Sequence, residues 1–351
     1  MKRAISALLL LSILISASML CSCSQKKKFS AYSFDCFDTV TTVTGYASSQ
    51  EEFDEVSKLI FEELKSYHQL FTIYERYDGI NNLCTVNSLT DGKHTAVKVD
   101  QKIIDMLLFC KEAYEITDGK VNVAMGSVLS IWHEHREAGL RVPESATLPN
   151  SDRLQEAAQH TDINAVIIDE NAKTVFLSDP DMLLDVGAIA KGYAVEAVAQ
   201  KLEAMGINGY VLNAGGNVRT LGIRGDGKPW VAGIEDPYAE DNAKDPYYAM
   251  LELTDLSLVT SGSYQRYYTV NGVNYNHIID PQTLMPSNRY TSVSIVTKSS
   301  ALADALSTAL FCMSFDDGSA LIEATDGVEA MWVLKSGEIH YSSGFSNYVT
   351  K

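Results

Sequence analysis

Asp185-Val186-Gly187-Ala188-Ile189-Ala190-Lys191-Gly192-Tyr193-Ala194, followed by Asn213-Ala214-Gly215-Gly216-Asn217, reads as an acidic residue, a glycine turn, a helix and a strand. Tyr193, Ala194, Val198, Leu202 and Met205 recur at helical spacing, which gives one buried face that Gly206 ends. Tyr210-Val211-Leu212 predicts a short buried strand running into Asn213 and the Gly215-Gly216 pair. A helix that opens on small side chains exposes backbone N–H groups able to hold an anion such as a diphosphate, with the charge of Lys191 beside them. The glycine pair permits positive φ and a close approach of backbone to a ligand. Order excludes a Gly-x-Gly-x-x-Gly dinucleotide fold, because that triplet follows a strand and opens a helix. Here no helix follows the glycine pair.

Outward from this stretch, the N-terminus reads as a targeting segment over residues 1–22. Lys2 and Arg3 give a positive start, Ala4 to Met19 is apolar, and Leu20-Cys21-Ser22-Cys23 closes it. The run is too short and wrongly flanked for a membrane span. Its Leu-x-small-Cys ending resembles the bacterial lipobox. That resemblance makes Cys23 the lipidated first residue of the mature chain and residues 23–32 a polar tether. It implies a protein held by its lipid at the extracytoplasmic face of a bacterial cell membrane. The formal net charge is −17, and loss of Lys2 and Arg3 with the leader takes it to −19. Such acidity argues against nucleic acid or an anionic membrane face as a partner. Cys36, Cys84, Cys110 and Cys312 are scattered singly. Cys110 and Cys312 fall in apolar helical stretches and read as core, while spacing leaves a Cys36–Cys84 disulfide open.

Residues 33–351 show no repeat or Pro-rich linker. Helices are predicted over 51–71, 100–115, 300–312 and 318–325. Strands are predicted at Ala165–Ile168 and Thr174–Leu177 as a hairpin, then near Trp230–Ile234, Tyr248–Leu253 and Ser292–Val296. A last hairpin joins Met331–Leu334 to Glu338–Tyr341 through Lys335-Ser336-Gly337. Helices and hairpins intermixed predict an α+β fold.

Four further stretches carry candidate chemistry. Thr260-Ser261-Gly262-Ser263-Tyr264-Gln265-Arg266 reads as a polar turn entering an aromatic strand. His277-Ile278-Ile279-Asp280-Pro281 reads as a strand ending in a Pro turn, where His277, near Asp280 and Arg266, can serve as a general base. Asp304 and Thr308, four residues apart, share a helical face and offer two hard oxygen ligands suited to Mg²⁺ and poor for zinc. The alternative is that Thr308 bonds a carbonyl one turn back and Asp304 is solvated. Tyr74 lies in an aromatic-rich segment after the first long helix, where core or rim packing is the commoner role. His133-Glu134-His135 lacks the His-Glu-x-x-His spacing of a zinc helix and is discounted.

Taken in order, these motifs resemble the ApbE family, the FAD:protein FMN transferases, many of which are exported lipoproteins. The likeness covers nearly the whole mature chain and implies one large domain of hairpin-rich sheets packed with helices. It implies FAD as substrate, contacted by Tyr74, Lys120, Val121, Asn122, Asp185, Lys191 and Ile278. It also implies Mg²⁺ held by the Ala188 carbonyl, Asp304 and Thr308. The implied reaction transfers FMN from FAD to a Ser/Thr hydroxyl of an acceptor and releases AMP, with His277 as the base. Acceptors would be flavin-carrying subunits of membrane redox complexes or exported flavoproteins. A Mg²⁺-dependent FAD pyrophosphatase and a non-catalytic FAD-binding lipoprotein are the alternatives. The chain departs from the family pattern at Asn122-Val123 (usually Asp-Pro), at Leu284 (usually Gly) and at Phe37-Asp38-Thr39 (usually Met-Gly-Thr).

Overall fold

A computed structural model describes residues 26–88, 95–240 and 243–350 of the protein; Cys23 and the leader lie outside them. The strands in chain order are β1 Lys27–Cys36, β2 Thr39–Ala47, β3 Val97–Lys98, β4 Val166–Asp169 and β5 Thr174–Leu177. There follow β6 Tyr210–Ala214, β7 Asn217–Leu221, β8 Trp230–Glu235, β9 Tyr247–Leu253 and β10 Ser257–Gly262. The last are β11 Tyr267–Val270, β12 Val273–Asn276, β13 Tyr290–Thr297, β14 Glu329–Leu334 and β15 Ile339–Tyr341. Eight of these form one sheet in the order β1-β2-β6-β7-β10-β13-β14-β15, and three form a small sheet, β3-β5-β4. The pairs β8-β9 and β11-β12 are separate hairpins. All pairings are antiparallel. With helices packed against the sheet, the fold is α+β.

Side-chain alternation places the core. In β10, β13 and β14, Val259, Val293, Ile295, Ala330 and Trp332 face the main core beneath the helices. Their neighbours Leu258, Val296, Met331 and Val333 face the opposite way, where Leu251, Leu253 and Phe345 cover them. Period-two alternation with both faces roofed explains why β13 is buried along its whole length.

The helices follow their caps and periodicity. Gln50–Phe71 starts where the Ser49 side chain accepts from the Glu52 N–H, and it buries Phe53, Ile60, Leu64, Tyr67 and Phe71. Gln101–Ile116 is capped by Asp100, and Ser300–Cys312 by Ser299. The helix opened by the quoted stretch runs Ala190–Ala204. Met205 follows it at 55% exposure, so the expected burial of Met205 is corrected; Gly206 then takes φ +72°.

Several boundaries differ from those read in the sequence. Lys27–Tyr32, taken as tether, pair residue by residue with β2, because Phe29 and Ala31 alternate inward onto the core. The helix expected over 318–325 is Phe315–Glu323, capped by Ser314. Thr260–Gly262 end strand β10, and the turn lies over 263–266. His277–Asp280 is not a strand: β12 stops at Asn276, whose side chain takes the Ile278 N–H and donates to the Ser287 carbonyl. Cys36 and Cys84 are both free thiols.

Candidate active site

Gly192 explains how the site is assembled. A Cβ there would stand 2.4 Å from Asp304 Cβ and 2.4 Å from the Ser300 carbonyl oxygen. Only glycine lets the Ala190–Ala204 and Ser300–Cys312 helices approach this closely. Its N–H donates to Asp304 Oδ2 at 2.7 Å, and Lys191 Nζ lies 4.0 Å from Asp304 Oδ1. The expected free helix N-terminus is therefore partly taken: the Asp304 carboxylate occupies the place an anion would fill. Asp304 is buried, not solvated, because Gly192 lets the Ala190–Ala204 helix close over it.

Two hairpin tips meet beside this junction. Gly215 and Gly216 form a two-residue turn at φ +57° and +93°, the mirror-image turn that suits twisted strands. A Cβ on Gly215 would lie 2.3 Å from Thr39 Oγ1. The β1–β2 turn, Phe37-Asp38, is also left-handed, at φ +57° and +51°.

Together these elements wall a cavity of about 360 Å³. Tyr74, Lys120, Val121, Asn122, Asp185, Ala188, Lys191, His277, Ile278, Asp304 and Thr308 all line it. Asp38, His133, Arg136, Gln265 and Arg266 line it as well and were not among the expected site residues. Of these, Gln265 and Arg266 belong to a motif already singled out. Arg136 offered only its three-residue spacing from His133.

Each polar group has a defined environment. His277 Nδ1 stands 3.1 Å from the Arg266 carbonyl oxygen; a carbonyl only accepts, so the proton is on Nδ1 and Nε2 is left as acceptor. Burial pushes its pKa down to about 4, and the charges of Arg266, Lys191 and Arg136 act the same way. Asp280 does not reach His277: it pairs with Lys120 at 3.3 Å and accepts the Gln282 N–H. Burial raises the Asp185 pKa, partly offset by its bond from the Gly187 N–H and by His133 and Arg136. Tyr74 is 64% exposed at the mouth, its ring centroid 5.2 Å from that of His133. Asn122 caps the turn Val123–Met125 and donates to the Thr161 carbonyl. The His133-Glu134-His135 side chains diverge: His133 meets Arg136, Glu134 meets Arg153, and His135 meets Thr147.

The donor set suits a hard cation. Asp304 and Thr308 sit one helical turn apart, and Ala188 lies on the same cavity wall. A buried carboxylate, a hydroxyl and a backbone carbonyl are oxygen ligands fitting Mg²⁺.

The model of the ApbE family matches residues 37–332. An FAD:protein FMN transferase of Vibrio cholerae is 31% identical over 267 residues, covering 74% of this chain and 77% of the relative. That of Treponema pallidum is 32% identical over 267 residues, covering 72% and 71%. The crystal structure of the ApbE protein of Thermotoga maritima superposes with a TM-score of 0.78 at 28% identity, over 93% of this chain and all of that one. The ordered motifs, the cavity on which they converge and the match over most of its length agree: the chain belongs to the ApbE family.

Proposed function

We propose that the protein is an FAD:protein FMN transferase that moves FMN from FAD to a Ser or Thr hydroxyl of an acceptor flavoprotein, with AMP as the leaving group. The observation that carries this reading is the convergence on one cavity of the buried Asp304 carboxylate, the Thr308 hydroxyl and a histidine whose Nδ1 is held, leaving Nε2 as acceptor. The hydroxyl oxygen forms a bond to the FMN-side phosphorus while the bond to the bridging diphosphate oxygen breaks, and AMP takes that electron pair. His277 Nε2 accepts the hydroxyl proton. Negative phosphoryl charge entering the cavity raises its basicity. Asp304, Thr308 and the Ala188 carbonyl would hold Mg²⁺, which supplies neutralisation of the diphosphate charge. Lys191 adds a fixed positive charge, and Tyr74 offers an aromatic face at the mouth. The acceptor would be a subunit of a membrane redox complex or an exported flavoprotein, met at the membrane to which Cys23 tethers the enzyme. Mass spectrometry of an acceptor incubated with the protein, FAD and Mg²⁺ tests the proposal. Addition of the FMN mass is expected, and an unmodified acceptor contradicts it.

A further inference from the structure

One group in the cavity wall has no part in the scheme above. The Gly126–Arg141 helix places His133 and Arg136 three residues apart and therefore on one face. The helix is pinned by Trp132, whose Nε1 donates to the Leu284 carbonyl at 2.9 Å. Arg136 Nη2 lies 2.8 Å from His133 Nδ1. A guanidinium only donates, so Nδ1 of His133 is the acceptor in this bond. His133 in turn lies against the Tyr74 ring at an interplanar angle of 32°. The Arg136 side chain is 20% exposed, and its one ion pair among the described residues is with Glu137, at 3.6 Å and 48% exposed. This is a largely buried fork of donors beside an aromatic platform; its charge acts on the Asp185 carboxylate of the same cavity wall without a salt bridge between the two.

We infer that Arg136, oriented by His133, is the specificity-determining contact for the carbonyl edge of the isoalloxazine ring, which stacks on Tyr74. The inference rests on the proposed binding of FAD. A flavin's pyrimidine edge presents two adjacent acceptors at N1 and C2=O, which match two donors of a guanidinium, with the N3–H donor lying beyond them. Adenine interposes an amine donor and matches it less well. A cation at N1–C2=O also stabilises the negative charge that the flavin gains on reduction.

The test compares FAD and ADP, each with Mg²⁺, on the full protein. Arg136→Gln should weaken FAD roughly ten- to a hundred-fold, the loss of one charge-assisted hydrogen bond, and leave ADP within about twofold. Arg136→Lys, which keeps the charge without the fork, should weaken FAD less, and it serves if the Gln variant does not fold. FAD bound to Arg136→Gln should also have a more negative reduction potential than in the wild type, a readout that a purely structural role would not move. Equal weakening of FAD and ADP, or unchanged FAD affinity in a folded variant, would overturn the assignment of Arg136. A wild type that binds ADP but no FAD would instead overturn the functional reading beneath it.

Discussion

At the residue scale, His277 carries both the proposed chemistry and a pH-dependent part of stability. With Nδ1–H held by the Arg266 carbonyl, its Nε2 is the proposed proton acceptor. His277→Gln should still bind FAD, while transfer falls by roughly 10²–10⁴, the range for loss of a general base. That loss should shrink as pH rises, because a more ionised acceptor hydroxyl needs less help. Loss of FAD affinity in step with rate would mark the histidine as structural. The folded-state pKa near 4 lies below the ordinary 6.5, so on acidification the unfolded chain takes up this proton first. The stability that His277 contributes is thus complete above about pH 6.5 and declines as pH falls toward 4. Urea unfolding of wild type and His277→Gln at pH 7 and 5 should show the wild type losing ground to the variant at the lower pH; a constant difference contradicts this. Residue-scale reading of the sequence reached His277, Asp304 and Lys191 because their motifs are dense and ordered. It also marked Asp38 and Leu284 as departures where the family pattern has glycine. The structure gives the reason that glycine suits them: both sit at positive φ, +51° and +59°, a conformation costing a non-glycine residue about 1 kcal/mol.

At the scale of elements, the Ala190–Ala204 and Ser300–Cys312 helices form the junction on which the site is built. Glu196, buried on the first, accepts the Ser300 N–H at 2.8 Å and the Arg219 Nε–H at 3.2 Å, which ties helix to helix and helix to sheet. Gly192→Ala would push a methyl into Asp304 Cβ and the Ser300 carbonyl. Overpacking of this kind costs about 1–3 kcal/mol, and here it also shifts the proposed metal ligand. Thermal unfolding should show the destabilisation, and Mg²⁺-dependent turnover should fall more than stability alone explains. A variant with wild-type stability would mean that the helices can part at no cost. Periodicity foretold the Ala190–Ala204 helix, since Ala194, Val198 and Leu202 recur on a buried face. It could not foretell Asp304 reaching across to the Gly192 N–H, because that bond joins residues 112 apart. Nor did the composition of Lys27–Tyr32 reveal a strand, since Lys27 and Lys28 mask the inward alternation of Phe29 and Ala31.

At the scale of the molecule, the eight-stranded sheet begins with β1, whose first residue follows shortly after Cys23. No helix among the described residues is long and apolar enough to cross a membrane. With a formal charge of −17, the body gains little from an anionic lipid surface. The lipid proposed at Cys23 would be the attachment: Cys23→Ala should move the protein from the membrane to the soluble fraction, and a variant retained on membranes in high salt would contradict the anchor. The motifs and the alternation of β13 made the fold class and the cavity wall readable, whereas the pairing of β1 depends on contacts distant in sequence. Transfer to a protein hydroxyl releases AMP in step with the adduct, so the amount of AMP released per FMN-modified acceptor separates transfer from hydrolysis. With FAD, Mg²⁺ and acceptor present, about one AMP is expected for each adduct. AMP accompanied by free FMN and an unmodified acceptor would contradict it.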